Sequence, residues 1–167
     1  EEVNAPLIVG ADSLVGRELA RHSPREQGPA RGTTRRRDRV SLLRTWLDLH
    51  SDVESWRPPE GASVAFLCAA VTGIDKCRID PVGTRLANVT NTLAIARKLL
   101  DAGYFVVFLS TNLVYDGSIP FRRAEDPVCP VTEYGRQKAE AESSLLESAG
   151  VSVVRLTKVL APDTPLF

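Results

Sequence analysis

The segment YGRQK places a tyrosine four residues before a lysine, Tyr134 and Lys138. Residues with this spacing lie on one face of a helix, one turn apart. A nearby ammonium group stabilises tyrosinate, which lowers the pKa of a tyrosine from about 10 toward working pH. Such a tyrosine can act as a general acid or base. The alternative is an ordinary solvated helix, so the rest of the chain must decide between the two interpretations.

A helix is expected around this pair, from about 132 to 148. Pro130 breaks the chain before it, Thr132 is a good N-cap, and Glu133 suits the first turn. A strand-like segment with two hydroxyl residues at its end, YFVVFLST (104–111), precedes the helix. We expect Ser110 or Thr111 to expose a hydroxyl at this strand end, a feature that gains meaning only if Tyr134 lies nearby.

A glycine-rich turn, GADSLVG (10–16), follows the first apolar run. A glycine at the strand end allows a sharp turn, and the helix N-terminus behind it offers N–H groups to a pyrophosphate. The pattern is G-x-x-G-x-x-G, except that a serine takes the middle place. This serine adds bulk where a backbone should approach phosphate, although its hydroxyl could donate a hydrogen bond. The candidate cofactor residues of the turn are Gly10, Asp12, Ser13, Leu14 and Gly16.

An arginine run, RGTTRRRDR (31–39), holds five arginines in nine residues. It follows the second strand, where the adenosine ribose of a dinucleotide would lie. A site for NAD usually presents an acidic residue there, whereas NADP needs arginine for its 2′-phosphate, which guanidinium binds bidentately. We therefore assign Arg35 and Arg36 to that phosphate, which favours NADP over NAD. A solvated or nucleic-acid-binding charge run is the alternative.

Short apolar runs alternate with amphipathic stretches along the whole chain, the pattern of repeated βα units. This predicts a doubly wound α/β fold: a parallel Rossmann sheet with helices on both faces, in three layers. The helices are expected over 14–22 and 86–100, besides 132–148. The strands are expected over 6–10, 30–34, 45–49, 63–70, 104–111 and 151–157.

Composition excludes several classes of protein. The 167 residues fit one domain, and 43% are hydrophobic, enough for a core. The 21 basic and 21 acidic residues balance, which argues against a nucleic-acid or membrane-surface protein. Without a long apolar run or a signal peptide, we expect a soluble, cytoplasmic protein. The cysteines lack metal-site spacing and the two histidines stand alone, so no metal site is expected.

The order of these motifs resembles the extended short-chain dehydrogenase/reductases, and most closely the dTDP-4-dehydrorhamnose reductase-like sugar-nucleotide proteins. The resemblance runs over essentially the whole chain. It rests on GADSLVG, LDL (47–49), CAAVTGIDKC (68–77), NVTNTLAIA (88–96), STNLVYDG (110–117) and YGRQKAEAE (134–142). Six motifs in family order are far more specific than the tyrosine–lysine pair alone, and they favour catalysis.

The resemblance implies roles for individual residues. Thr111 would hydrogen-bond the substrate, Tyr134 would transfer the proton, and Lys138 would hold the cofactor ribose and tune Tyr134. The adenine would be flanked by Asp48 and Leu49, and the cofactor would be lined beyond the fourth strand by Ala69 and Ala70. Two departures from the family pattern are Ser13, in place of a glycine, and Asn112, where an aspartate is frequent.

The function implied is that of an NADP(H)-dependent oxidoreductase or epimerase acting on a nucleotide-linked sugar. We expect residues 1–167 to form the NAD(P)-binding domain and the substrate-binding portion to lie largely beyond the sixth strand. A non-catalytic, NADP-binding regulatory subunit of the same fold is the alternative, and nucleic-acid binding through the arginines is disfavoured. The resemblance also implies that helices after strands four and five can pair in a homodimer.

Overall fold

A parallel sheet of six strands organises the computed structural model, which describes residues 5–23, 28–61 and 63–159. The spatial order of the strands is β3-β2-β1-β4-β5-β6. This order reverses direction after β1, as in a doubly wound fold, and so confirms the predicted Rossmann class. The strands are β1 (Leu7–Val9), β2 (Arg31–Thr34), β3 (Arg44–Trp46), β4 (Val64–Leu67), β5 (Phe105–Thr111) and β6 (Val151–Leu156).

Helices connect the strands, and all the expected ones form. They are α1 (Leu14–His22), α2 (Ile74–Ile79), α3 (Pro81–Arg85), α4 (Thr92–Asp101) and α5 (Glu133–Leu146), with 3₁₀ turns at Arg37–Arg39 and Asn112–Val114. Among the residues described, no helix is long and apolar enough to cross a membrane. Residues 160–167, on which the expectation of a truncated domain depends, lie outside the described residues.

The core lies where the central strands meet the helices. The strand β1 is buried throughout, whereas β4 and β5 alternate fully buried with half-buried residues, because one face of the sheet is covered more completely than the other. Their side chains pack with Ile95 and Leu99 of α4 and with Ala141 and Leu145 of α5. This packing fixes α5, and with it the tyrosine–lysine pair, against the centre of the sheet.

Two elements differ from the prediction. The third strand ends at Trp46 rather than at 49, because Asp48 begins a turn in which its main-chain oxygen accepts from Ser51 N at 3.1 Å. The single helix expected over 86–100 contains a π-helical turn, Leu86–Asn91, before α4. This turn rotates the helix face, so Leu86, expected on the apolar side, is 40% exposed.

Candidate active site

The glycine-rich turn joins β1 to α1 at the carboxyl edge of the sheet. Gly10 has a φ of +88°, and a Cβ atom there would lie 2.7 Å from Ala69 N, so only glycine fits. A Cβ on Gly16 would collide with the main-chain oxygen of Gly10. Ser13 replaces glycine without strain, because its φ is −68° and its Oγ accepts from Gly16 N at 3.0 Å as the N-cap of α1.

The second strand tightens the same turn through two threonines. Thr33 Oγ1 accepts a hydrogen bond from Gly10 N at 2.9 Å. Thr34 Oγ1 accepts from Arg36 N at 3.0 Å and donates to the Asp12 carboxylate. Both threonines are buried. The glycine-rich turn and the arginine run are therefore held as one unit.

Two asparagines of the π-helical turn hold the other loops at this edge. Asn91 Nδ2 donates to the main-chain oxygens of Leu49 at 2.8 Å and Ser51 at 3.0 Å. Asn88 accepts from Val71 N at 2.8 Å and donates to Val71 O at 3.0 Å. The π-helical turn thus fixes the loops after β3 and β4.

These loops enclose a pocket of about 270 Å³. Nine of the residues proposed for the cofactor line it: Gly10, Asp12, Ser13, Arg35, Arg36, Asp48, Leu49, Ala69 and Ala70. Leu14 and Gly16, also proposed, support the turn from α1 and do not line the pocket. The lining combines apolar residues such as Leu47, Leu49 and Ala69 with Arg35 and Arg36, a mixture that suits the adenosine part of a dinucleotide.

Tyr134 and Lys138 lie on α5, which packs against β5. Lys138 Nζ donates to Leu109 O at 2.7 Å and lies 3.8 Å from the centre of the Phe108 ring. The helix runs antiparallel to the strands, so one turn back along it rises about 6 Å toward the carboxyl edge. Tyr134 therefore lies nearer than Lys138 to the carboxyl edge of the sheet, the edge at which Thr111 ends β5.

The protonation states differ from the expectation that Lys138 lowers the pKa of Tyr134. Burial, and secondarily Cys77, raise the pKa of Tyr134 to about 12. Burial also lowers the pKa of Lys138 to about 7, although Glu142 and Cys68 act in the opposite direction. The expected lowering is wrong for this structure, because the ammonium faces Leu109 O and Phe108 while the phenol is desolvated.

A second, larger cavity of about 850 Å³ runs along β6, from Val151 to Thr157, and is closed by the segment after β5. Asn112, Tyr115 and Phe121 line it together with three arginines, Arg122, Arg123 and Arg155. Arg155 is anchored to the buried Glu142 at 2.7 Å. Neither Thr111 nor Tyr134 lines this cavity or the first pocket. Thr111, predicted to bind the substrate, and Tyr134, predicted to transfer the proton, thus lie outside both cavity linings.

Several residues of the site escaped the sequence prediction. Thr33, Thr34, His50, Val71 and Ala87 also line the first pocket. The motif NVTN (88–91) was the one sequence signal for the loops that carry some of these residues, since two asparagines inside a buried helical pattern need hydrogen-bond partners. Their partners are main-chain atoms of distant loops, which no local pattern identifies.

The sheet order, the glycine-rich turn and the pocket define a Rossmann-type dinucleotide-binding domain. The chain belongs to the family described as RmlD substrate binding domain, whose family model matches residues 5–165. The resemblance to the dTDP-4-dehydrorhamnose reductase-like proteins is thereby confirmed.

Two kinds of relative are similar to this chain. Methionine adenosyltransferase 2 subunit beta of Bos taurus is 31% identical over 166 residues, covering 93% of this chain and 48% of that protein. The dTDP-4-dehydrorhamnose reductase of Escherichia coli is 31% identical over 114 residues, covering 60% of this chain and 38% of that protein. The chain spans about half the length, or less, of these relatives.

Solved structures share the fold. MoeE5 in complex with UDP-glucose and NAD matches with a TM-score of 0.74 at 25% identity, over 90% of this chain and 52% of that one. The dTDP-4-dehydrorhamnose reductase of Bacillus anthracis, in complex with NADP, matches with a TM-score of 0.73 at 20% identity, over 93% and 54%. These structures hold the class of cofactor expected from the sequence.

Proposed function

We propose that this chain binds NADP(H) and carries the proton-transfer residues of a reductase acting on a carbonyl group of a nucleotide-linked sugar. The observation that supports it is the convergence of the glycine-rich turn, the arginine run and the loops after β3 and β4 on one pocket. The residues present fit the cofactor, because Gly10 lets the turn after β1 pack closely against Ala69 and the lining is apolar at Leu47 and Leu49.

The preference for the 2′-phosphorylated cofactor rests on Arg35 and Arg36. Both line the pocket, and no carboxylate of the described residues forms an ion pair with either. Their guanidinium groups can bind a phosphate bidentately. The lining has two acidic residues: Asp12, which is paired with Arg39 and Arg44, and Asp48, which lies beyond β2, after β3.

The proton-transfer roles follow from the protonation states. Tyr134 is protonated at neutral pH and can donate that proton to a carbonyl oxygen, although its pKa, raised to about 12, makes it a weaker acid than an ordinary tyrosine. Thr111, at the end of β5, can hold that oxygen by a hydrogen bond. Lys138, one turn below, can hold the ribose. The nicotinamide supplies the hydride when bound.

The substrate class follows the relatives' names. The Streptomyces antibioticus relative, 30% identical over 160 residues and 90% of this chain, is a probable dTDP-4,6-dihydroxy-2-methyloxan-3-one 4-ketoreductase. A nucleotide-linked sugar carries phosphates, and Arg123 of the second cavity, which forms no ion pair with the described carboxylates while Arg122 and Arg155 do, is suited to bind them.

Cofactor titration tests the binding part of this proposal. We expect calorimetry to give tighter binding of NADPH than of NADH. Arg35→Gln and Arg36→Gln should each weaken NADPH binding about tenfold, the cost of one charge-assisted contact, and leave NADH within about twofold. Arg97→Gln, an exposed arginine of α4, is the matched control. Equal affinity of the wild type for both cofactors would overturn the assignment of NADP.

Oxidation of NADPH with nucleotide-linked keto sugars tests the catalytic part. We expect Tyr134→Phe to lower kcat by about 100-fold or more while NADPH affinity stays within about twofold, because only the donated proton is lost. Undiminished turnover by Tyr134→Phe would exclude this role.

A cofactor-binding regulatory subunit without turnover is the second candidate. The observation that favours it is the similarity to methionine adenosyltransferase 2 subunit beta over 93% of the chain. It predicts NADPH binding without NADPH oxidation on any keto-sugar substrate, and no difference between the wild type and Tyr134→Phe.

A further inference from the structure

The arginines around the first pocket fall into two classes. Arg35 and Arg36 line the pocket directly. Arg39 and Arg44 do not line it, and both bind the same oxygen of Asp12, Oδ1, at 3.0 and 2.9 Å. Two guanidinium groups near an anion site are thus occupied by an internal carboxylate.

Asp12 itself lies inside the phosphate-binding turn. It is one of the pocket-lining residues, and its side chain is only 18% exposed. Its second oxygen, Oδ2, accepts from Thr34 Oγ1. Burial acts to raise the pKa of Asp12, but the Thr34 hydrogen bond and the charges of Arg39 and Arg44 outweigh it and leave the pKa lowered. The pocket therefore contains an ionised carboxylate at neutral pH.

We propose that Asp12 is a specificity residue that competes with the cofactor's 2′-phosphate for Arg39 and Arg44. The proposal rests on the function proposed above. Carboxylate and phosphate use the same guanidinium donors, so an arginine held by Asp12 is withheld from a bound phosphate. The carboxylate also repels a phosphate in the same pocket. Asp12 thus weakens NADPH binding and reduces the ratio of NADPH affinity to NADH affinity.

The competing role for an acidic residue here is to accept a hydrogen bond from an unphosphorylated ribose, as in NAD sites. That role predicts the opposite result, weaker NADH binding when Asp12 is neutralised. The three contacts to Arg39, Arg44 and Thr34 already use both carboxylate oxygens, which favours competition over ribose binding.

Calorimetric titration of Asp12→Asn with NADPH, NADH and adenosine 2′,5′-bisphosphate tests the proposal. The substitution keeps the size and one acceptor oxygen while removing the charge. We expect NADPH and the bisphosphate to bind about threefold to tenfold more tightly, the effect of one partly screened charge, with NADH within about twofold. A gain in affinity cannot arise from misfolding. Asp38→Asn, an exposed carboxylate in the same arginine run, is the charge-matched control and should change nothing.

Arg39→Gln completes a double-mutant cycle with Asp12→Asn. In the Asp12→Asn background, Arg39→Gln should cancel at least half of the gain in NADPH affinity. In the wild type it should reduce NADPH affinity less, because there Arg39 is held by Asp12. If the wild type binds NADPH and Asp12→Asn binds it no more tightly, the competition is overturned and the proposed function stands. Failure of the wild type to bind either cofactor overturns the proposed function. The inference then survives only if Asp12→Asn still tightens the bisphosphate, and it falls if the bisphosphate binds neither variant.

Discussion

At the scale of single residues, Lys138 shows how burial sets a charge state. Its side chain is 2% exposed, and its pKa falls to about 7 from an ordinary value of 10.5. Between these values the unfolded chain binds more protons than the folded one, so stability rises with pH across that interval. Below about pH 7 the cost of the buried charge is fully present. The Phe108 ring and Leu109 O offset part of this cost.

Lys138→Met should therefore change the pH dependence of stability. We expect the free energy of unfolding of the wild type to rise from pH 7 to pH 9, by at most about 1.4 kcal/mol per pH unit from this group, and the variant to lose that rise. The pH range ends at 9 because burial raises the pKa of the Cys68 thiol to about 12. Above pH 9 the thiol ionises in the unfolded chain and not in the folded one, which lowers stability as pH rises. Urea unfolding at each pH measures both proteins. Lys76→Met, at an exposed lysine, should keep the rise; retention of the rise in Lys138→Met would refute the assignment.

At the scale of elements, the π-helical turn Leu86–Asn91 determines the shape of the first pocket. A π-helical turn holds one residue more than an α-helical turn, and Asn88 and Asn91 point inward from it. Each of the two side chains hydrogen-bonds main-chain atoms of a loop. Asn88 also donates to Gln137 on α5 at 2.9 Å. This turn thus joins the cofactor loops to the helix that carries the tyrosine–lysine pair.

Asn91→Asp should disturb one loop without removing bulk. The new carboxylate would face the main-chain oxygens of Leu49 and Ser51 and has no proton to donate, leaving both unsatisfied. We expect the free energy of unfolding to fall by about 1–3 kcal/mol and the affinities for NADPH and NADH to fall together, since the loop lies away from the 2′-phosphate. Thr90→Asp adds the same charge on the exposed side of the turn and should have little effect. A selective loss of NADPH binding would contradict this account.

The sequence predicted these elements unevenly, for physical reasons. The central strands β4 and β5 are continuous apolar runs with strong local signals. The end of β3 and the π-helical turn depend on hydrogen bonds to distant loops, which periodicity cannot reveal. Nine pocket residues were predicted, because motif and strand order together place them at one edge. The pKa of Tyr134 was not, because it depends on burial rather than on its spacing from Lys138.

At the scale of the whole molecule, charge is balanced in total and concentrated locally. The chain has 21 basic and 21 acidic residues, yet six arginines and one acidic residue, Asp38, lie between 31 and 44. This cluster borders the first pocket and is largely exposed. Its field is therefore local and open to screening by salt, whose Debye length is about 10 Å at 0.1 M.

Cofactor selectivity should accordingly depend on salt. We expect the ratio of NADPH to NADH affinity to fall about threefold or more between roughly 0.05 and 0.5 M KCl, because only NADPH carries the additional phosphate that the cluster attracts. Calorimetry at both salt concentrations measures the ratio, and Arg35→Gln should flatten its dependence. Duplex DNA should not be retained at either concentration. Binding through phosphate neutralisation requires an extended basic surface, and in this charge-balanced chain the arginines are concentrated in this one cluster. A ratio that stays constant would mean that selectivity arises from contacts shielded from solvent, and the exposed arginines would then have no part in it.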